Sequence, residues 1–566
     1  MQGMRQQQAV ADSSSESKSE SSMHDDHSNH AVELVEAEAV NDVEHHRAVA
    51  HPSMDGTHRR QAITRKYQFR FAGFVLFLLF GCGIIIGSVC GAGLCGSSDS
   101  IESTKTARDI LQVPQMEIVL TTILGKDYFD GVVISGEGYH SDLTDFLRES
   151  RQKSFDWIVN QDPLQLEYDA PNLFQRFLLV LFYHQTTRHN PWKECNPPVT
   201  SQGSTSFNSC YELEYFSGET THYIWGNKWL SVSHECQWAG VTCETGQREE
   251  QEVVELELRW NQLNGLLPWE ITRLPQLKNL DLHHNMLTGV MPQRLFTNQS
   301  GLALESLSLD VNQLSGPIPA RWFEETAKLT NLDSSSNRLT GRIPSELGLL
   351  PMKYLNFGNN SLTGSLPVEV FYQDSLQWLF LHINDLTGTL PTEVGLLANL
   401  EYLDLSGNSV SGSLPSEIGL ASQLQNIQVS YTNMQGTLPE ELYGISILRQ
   451  LVLDSCNFSG TISSSVGLLT DLVQLGLSSN KFHGTIPNEI NSLTNLALLR
   501  VNENELTGTV PESVCHHVYL FRGDSYHKVA LEADCLPSTE TGVPTIECAV
   551  DCCTLCCDNT GYCLAN

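Results

Sequence analysis

Between Val254 and Pro511 one arrangement of apolar and polar positions returns eleven times. In most copies two apolar residues flank a polar one, as Leu403 and Leu405 flank Asp404; an asparagine follows, Asn408, and then a glycine, Gly412. The glycines fall at 265, 289, 316, 341, 364, 388, 412, 436, 460, 484 and 508, an unbroken 24-residue period from Gly364 onward. A period of that length means a solenoid, in which each coil covers the apolar face of its neighbour. The alternation predicts a short strand with one buried face, so that Asp404 and its equivalents point outward on the concave side. Asn408 follows where the chain turns, and a buried amide there can bond backbone groups that an irregular turn leaves unpaired; stacked coils should therefore carry an asparagine ladder. The glycine permits a tight turn, and the Ile-Pro or Leu-Pro after it gives an extended segment with one donor fewer. Thr432 and Cys456 replace the asparagine in two coils. Both are small enough to sit inside, so Cys456 reads as a buried free thiol.

The wording of the coils, Leu-Thr-Gly-x-Ile/Leu-Pro at 339–344, 362–367 and 386–391, resembles the plant-specific leucine-rich repeats of receptor-like kinases, receptor-like proteins and polygalacturonase-inhibiting proteins. The resemblance implies an α/β solenoid, a horseshoe or superhelix spanning 251–512 with about eleven repeats.

The flanks change the picture. Residues 1–70 carry 8 Lys and Arg against 11 Asp and Glu, and 1–58 are poor in aromatics and rich in Ser, Glu, Asp and His, so they read as a disordered tail. Histidines 24, 27 and 30 have metal-binding chemistry, but a solvated tail accounts for them. From Phe71 to Ser98 no residue is charged, and Phe71 to Leu94 is long enough to cross a bilayer of about 30 Å. The segment at 71–95 is read as an uncleaved signal-anchor helix. Arg59, Arg60, Arg65, Lys66 and Arg70 precede it, which places the tail in the cytosol and the repeats outside the cell. Gly83, Gly87 and Gly91 lie four apart and predict a face for helix pairing in the membrane, with a second copy or a co-receptor. Residues 96–141 read as a juxtamembrane linker; within them Ile118 to Leu124 fits a strand or plain linker.

Residues 142–250 should cap the first coil. Leu143, Phe146, Leu147, Trp157 and Ile158 sit at helical spacing before Asp162 and Pro163 end the run. Phe177 to Tyr183 is bracketed by Arg176 and His184, which makes it a buried helix and too short for a second membrane span. Cys236-Gln-Trp-Ala-Gly-Val-Thr-Cys243 resembles the N-terminal cap signature of plant-type repeats, and that resemblance pairs Cys236 with Cys243. The run from Ser154 through Gln175 to this signature also resembles the membrane-anchored leucine-rich repeat proteins of diatoms.

Thirteen cysteines lie at 195 or later; without Cys456 they leave twelve, an even number suited to disulfides in an extracellular setting. These are Cys195, Cys210, Cys236 and Cys243 in the first cap, and Cys515, Cys535, Cys548, Cys552, Cys553, Cys556, Cys557 and Cys563 in a Cys-rich C-terminal cap at 513–566. Cys552-Cys-Thr-Leu-Cys-Cys557 has zinc-type spacing, but a stapled cap fits the compartment better and no metal is expected. Asn298, Asn359 and Asn457 open glycosylation sequons. Arg522-Gly523-Asp524 matches an integrin-type tripeptide and is read as loop.

Solenoids bind along the concave sheet. Outward positions there include Trp260, His283, His284, Asp310, Phe380, His382, Tyr431 and Asp454, among which the aromatics are the expected anchors. The formal charge of −33 argues against nucleic acid as a partner. No phosphate-cradling loop, HExxH or GxSxG occurs, so neither an enzyme nor a cofactor is expected. The reading is a single-pass surface recognition protein without a kinase, taking a protein, peptide or polysaccharide ligand and needing a partner to signal. The rivals are an adhesive, wall-contacting protein and an inhibitor of wall-degrading enzymes.

Overall fold

A computed structural model describes residues 141–193, 226–246, 250–293, 303–325 and 328–511, with short pieces at 115–116, 120, 195, 295, 530–535, 546–547, 555–557 and 563–565. The tail, Phe71 to Leu94 with Gly83, Gly87 and Gly91, and Asn298, Cys210, Cys515, Cys548, Cys552, Cys553 and Arg522 to Asp524 lie outside the described residues. Among the described residues no helix is long and apolar enough to cross a membrane.

The repeats form the expected solenoid. One three-residue strand per coil, such as Tyr402–Asp404, pairs in parallel with the equivalent strand of the next coil, and these strands build a 15-stranded sheet. The register is a clean 24-residue step where the sequence period is unbroken: Trp378 opposes Tyr402, and Tyr402 opposes Asn426. Leu403 and Leu405 are fully buried, as are their equivalents Leu379 and Leu381 or Leu451 and Leu453, because each apolar pair is sealed by the coils on either side. A second set of short parallel strands, one after each ladder position, runs from Asn264–Leu266 to Asp385–Thr387; it continues through the Thr389 to Ser411 bridge to Glu505–Leu506.

The asparagine ladder is present and its chemistry is explicit. Asn408 accepts the Leu386 amide at 3.0 Å and donates to the carbonyls of Leu381 at 2.9 Å and Leu405 at 3.0 Å. Each amide thus serves both its own coil and the preceding one. Thr432 keeps part of this, donating to Val429 O at 2.9 Å, while the buried free thiol of Cys456 lies 3.2 Å from both Val429 O and Thr432 Oγ1. Burial raises the Cys456 pKa, as a structural thiol requires. The glycine after the ladder adopts positive φ in every coil, +86° at Gly412, and a Cβ there would meet Thr389 Cγ2 at 2.8 Å. Beyond it a proline such as Pro415, at φ −69° and ψ 145°, leads into a five-residue 3-10 turn.

The first cap is helical. Helix α1 (Ser141–Asp156) runs into a π-helical turn (Trp157–Gln161), and α2 (Leu173–Gln185) packs against it. Asp162 N–H bonds Trp157 O at 2.8 Å where the run ends. Helix α2 buries its apolar length and meets the first coil through Thr186 O, which accepts the Asn264 amide at 2.8 Å. Trp192, Trp229 and Trp238 pack in a row, Trp192 edge-to-face on Trp229 with centroids 4.8 Å apart and Trp238 tilted against Trp229 at 5.3 Å. Arg176 is fully buried between the rings of Trp157 and Trp238 and donates through Nε and Nη2 to Asp162, 2.9 Å each, with Glu235 at 3.4 Å. Cys236 and Cys243 are bonded, and Cys195 is also in a disulfide. Leu120, in the stretch open to a strand or a linker, is instead helical and buried.

At the other end Ala530–Ala533 adds to the long sheet, and an antiparallel pair, Leu555–Cys557 with Cys563–Ala565, closes it. Cys535 and Cys556 are bonded. Asp534 accepts the amides of Glu503 at 2.7 Å and Asn504 at 3.2 Å, so a carboxylate ends the ladder where no further asparagine follows.

Candidate functional site: the solvent face of the long sheet

Each coil presents three residues on the solvent face, one before, one between and one after its two buried apolar positions, and the stacking aligns them into columns. Three zones of different chemistry result.

The first zone is charged. Asp281 bonds His283 Nδ1 at 2.7 Å and lies 3.9 Å from Arg259. Burial opposes the charged form of His283, but the Asp281 carboxylate outweighs it and the pKa is raised. His284, stacked on Trp260 at 3.7 Å, is pushed down to about 4 by burial and by His283. Asp310 is pushed up to about 8, by burial and then by the Asp333 carboxylate. This end therefore holds an imidazole whose charged form Asp281 favours and a carboxyl whose neutral form burial favours.

The middle zone is aromatic. Phe380 lies between Tyr402 at 4.7 Å and Tyr354 at 5.7 Å, with Trp378 at 6.2 Å from Tyr354. Tyr354, Trp378 and Tyr402 all occupy the column before the first buried leucine, one coil apart. Carboxylates bound this shelf. Asp333 accepts the Tyr354 hydroxyl and the Asn356 amide, both at 3.0 Å. On the far side Asp404 lies 3.5 Å from His382 Nδ1. Burial raises the pKa of both carboxyls. The His382 ring lies over Gly358, where any Cβ would come within 2.3 Å of it, so that glycine makes room for the imidazole.

The third zone is an ion pair. Arg500 donates to Asp454 at 3.2 Å and lies 3.7 Å from Glu532, and Ser478 Oγ donates to Asp454 at 2.6 Å.

The expected site residues are thus split. His283, Asp310, His382 and Asp454 stand on the sheet face. Phe380 does too, but it is not an exposed anchor: at 4 % exposure its neighbours cover it. Asp454 is likewise buried, beneath Arg500. Trp260, His284 and Tyr431 are not strand positions; they occupy the turn immediately before the ladder residue, with φ of 58°, 53° and 55°. Three-residue strands end before that turn, so these side chains stand at the rim of the sheet. Tyr431 is well exposed there. Asn359 occupies the same rim and is exposed, and Asn457 opens a strand of the second set. Sequence reasoning missed Tyr354, Trp378 and Tyr402. Their signal was an aromatic residue returning at 24-residue intervals just ahead of the first strand leucine.

Two coils, residues 328–350 and 399–420, match the sequence model of the Leucine Rich Repeat family. The repeats are leucine-rich repeats. The chain is similar to receptor-like proteins of Arabidopsis thaliana. It is 36 % identical to Receptor-like protein 35 over 251 residues, 42 % of this chain and 25 % of that protein. It is 34 % identical to Receptor-like protein 7 over 113 residues, 20 % of this chain and 11 % of that protein. The chain thus spans a quarter or less of the length of these relatives. Among solved structures, the plant peptide hormone receptor RGFR1 in complex with RGF2 aligns over 51 % of this chain and 49 % of its own, at 26 % identity and a TM-score of 0.42. PEPR1-AtPEP1 aligns over 55 % and 46 %, at 28 % identity and a TM-score of 0.45.

Proposed function

We propose that the protein is a cell-surface recognition protein that binds an extracellular ligand on the solvent face of its long sheet, centred on the aromatic shelf. The observation that carries this reading is the pair of half-buried rings Tyr354 and Trp378, one coil apart in one column, backed by the buried rings of Phe380 and Tyr402, with Asp333 and Asp404 at the ends. A solenoid needs no aromatic residue on its solvent face for stability, whereas aromatic side chains with adjacent hydrogen-bonding groups are characteristic anchors of ligands. The likeness to receptor-like proteins supports the same role. The further parts of the reading rest on sequence: an anchor at 71–95 crosses the membrane once with the tail in the cytosol, signalling passes through a partner, and the protein is not an enzyme.

The test uses the full chain as bait for a protein, peptide or polysaccharide from extracellular extract, followed by affinity measurement with Trp378→Ala and Tyr354→Ala. Loss of an anchor costs about 2 kcal/mol or more, roughly a thirtyfold weakening. A captured ligand that binds both variants as tightly as the wild type sinks the assignment of the shelf.

A further inference from the structure

The 3-10 turns on the far side of the coils carry a feature that the fold does not require. In Ser345–Leu349, Val368–Tyr372, Thr392–Leu396 and Ser416–Leu420 the third residue is buried against the coil core, as Leu347, Val370, Val394 and Ile418. The fifth faces water: Leu349 is 69 %, Tyr372 57 %, Leu396 55 % and Leu420 66 % exposed. Gly444 interrupts the column, and Leu468 resumes it at 60 %. These five make up half of the ten large apolar residues exposed among the described residues, aligned in one stripe. Contiguous exposed apolar surface of this kind marks an interaction site.

The stripe has a charged companion. Gly348, Gly395, Gly419 and Gly467 precede the four leucines, and the next coil closes over each of them: a Cβ on Gly348 or Gly395 would stand 2.5 Å from the carbonyl of Glu369 or Glu417. Every exposed leucine therefore has a glutamate of the following coil beside it, Glu369, Glu417, Glu441 or Glu489. None of these glutamates takes part in an ion pair among the described residues.

We propose that this stripe is a docking surface for an amphipathic α-helix of a partner protein, lying along the solenoid with one apolar side chain per turn between successive leucines and a Lys- or Arg-rich flank against the glutamates. Charge complementarity selects the basic flank, and geometry selects the helix. Stacked strands repeat every ~4.8 Å, and a helix repeats its face every ~5.4 Å. Taken at the strand spacing the mismatch is about 0.6 Å per coil, ~2 Å over four coils and within the reach of a leucine side chain, and the wider repeat on the outer side of a curved solenoid brings the coils closer to the helical repeat. An extended segment, repeating its face every ~6.7 Å, falls out of step within two coils. A second copy of the chain would bring one acidic column against another, and an anionic lipid surface would meet the same repulsion.

The experiment uses the full chain in lipid nanodiscs and two synthetic peptides of one composition, one with leucines on a single helical face flanked by arginines, the other scrambled. Fluorescence anisotropy should show the ordered peptide binding at least tenfold tighter. The triple variant Leu349→Gln, Leu396→Gln, Leu420→Gln should erase that preference, and Glu369→Gln with Glu417→Gln and Glu441→Gln should reduce it, most at low salt. These positions are on the surface, and an unchanged thermal melt confirms that the variants are folded. Equal binding of the two peptides, or a preference that survives the leucine triple, overturns the proposal. So does a wild-type dimer that the triple dissolves, which assigns the stripe to a second copy, or vesicle binding that the triple abolishes, which assigns it to lipid.

Discussion

Replacing Asn384 by alanine tests the energetics of the ladder in the coil that carries Phe380 and His382. The amide accepts Leu362 N–H at 2.9 Å and donates to Phe357 O at 2.9 Å and to Leu381 O and His382 O at 3.2 Å. The losses are unequal. Phe357 O keeps a donor in Asn360 at 3.1 Å, and Leu381 O keeps one in Asn408 at 2.9 Å. Leu362 N–H has no such second partner and is left buried. One stranded donor costs about 1–3 kcal/mol, and the partly compensated donor bonds add about 1 kcal/mol more, so Asn384→Ala should destabilise its coil by roughly 2–4 kcal/mol. Asn384→Thr should cost about 1 kcal/mol less, because the native Thr432 still donates to the carbonyl three residues back, Val429 O, at 2.9 Å; its hydroxyl accepts only from Met434 N–H of its own coil, at 3.4 Å, so the Leu362 N–H stays stranded in both variants. Hydrogen exchange read by mass spectrometry suits a solenoid, since coils open locally. Faster exchange should be confined to peptides containing Leu362 and its neighbouring coils, and should be greater for alanine than for threonine. Equal exchange in the alanine variant and the wild type, or equal losses for alanine and threonine, would refute the reasoning.

Two other outcomes follow from buried charge. The folded pKa of Asp310, about 8, lies above its unfolded value, so the folded protein holds a proton that the unfolded chain releases, and stability falls as pH rises from about 4 to about 8 by up to ~1.4 kcal/mol per unit. Asp310→Asn removes that slope, so its advantage over wild type should grow between pH 5 and pH 8 and then level off in thermal melts; parallel pH profiles would count against this. Arg176→Met leaves the Asp162 and Glu235 carboxylates buried without their cation and should cost about 3–5 kcal/mol. A loss below about 1 kcal/mol in denaturant titration would mean that the Trp157 and Trp238 stacking, and not the ion cluster, sets the role of that site.

Much of the fold was legible because a solenoid repeats its reasons. The two buried leucines, the ladder amide and the glycine each recur at one spacing, and the structure places Leu403, Leu405, Asn408 and Gly412 where that spacing implied. Cys456 was readable as a buried thiol because a ladder position has no room for exposure. The site was harder to read, because what a solvent-face residue does depends on residues a full coil away. Phe380 reads as an anchor by itself and becomes a covered ring only when Tyr354 and Tyr402 are set beside it. Trp260, His284 and Tyr431 were grouped with the outward strand positions although strict alternation from Leu258, Leu282 and Val429 would turn them inward; the backbone there has already turned left-handed and carries them to the rim instead. In the 3-10 turns the third position stays apolar in every coil from Leu347 to Ile490 while the fifth changes from Leu349 to Gly444 and Ser492, so the buried and the exposed leucine are told apart only when coils are compared.

That left-handed turn has a consequence for how such a protein can change. In every coil but one the residue before the ladder position is not glycine, and Ile383, Tyr431 and Glu503 hold φ of 51°, 55° and 55°. Only Gly407 adopts the conformation without strain. Elsewhere each coil tolerates a local cost of about 1–2 kcal/mol, because the ladder bonds on either side fix the backbone whatever side chain projects from it. The rim is accordingly a row of sockets in which tryptophan, histidine, valine, serine, asparagine, isoleucine and tyrosine are already interchanged within one molecule. Rewriting that row leaves the core untouched, so its chemistry can be edited one coil at a time, and trading any of its bulky residues for glycine would return stability to the solenoid at the expense of a point of contact.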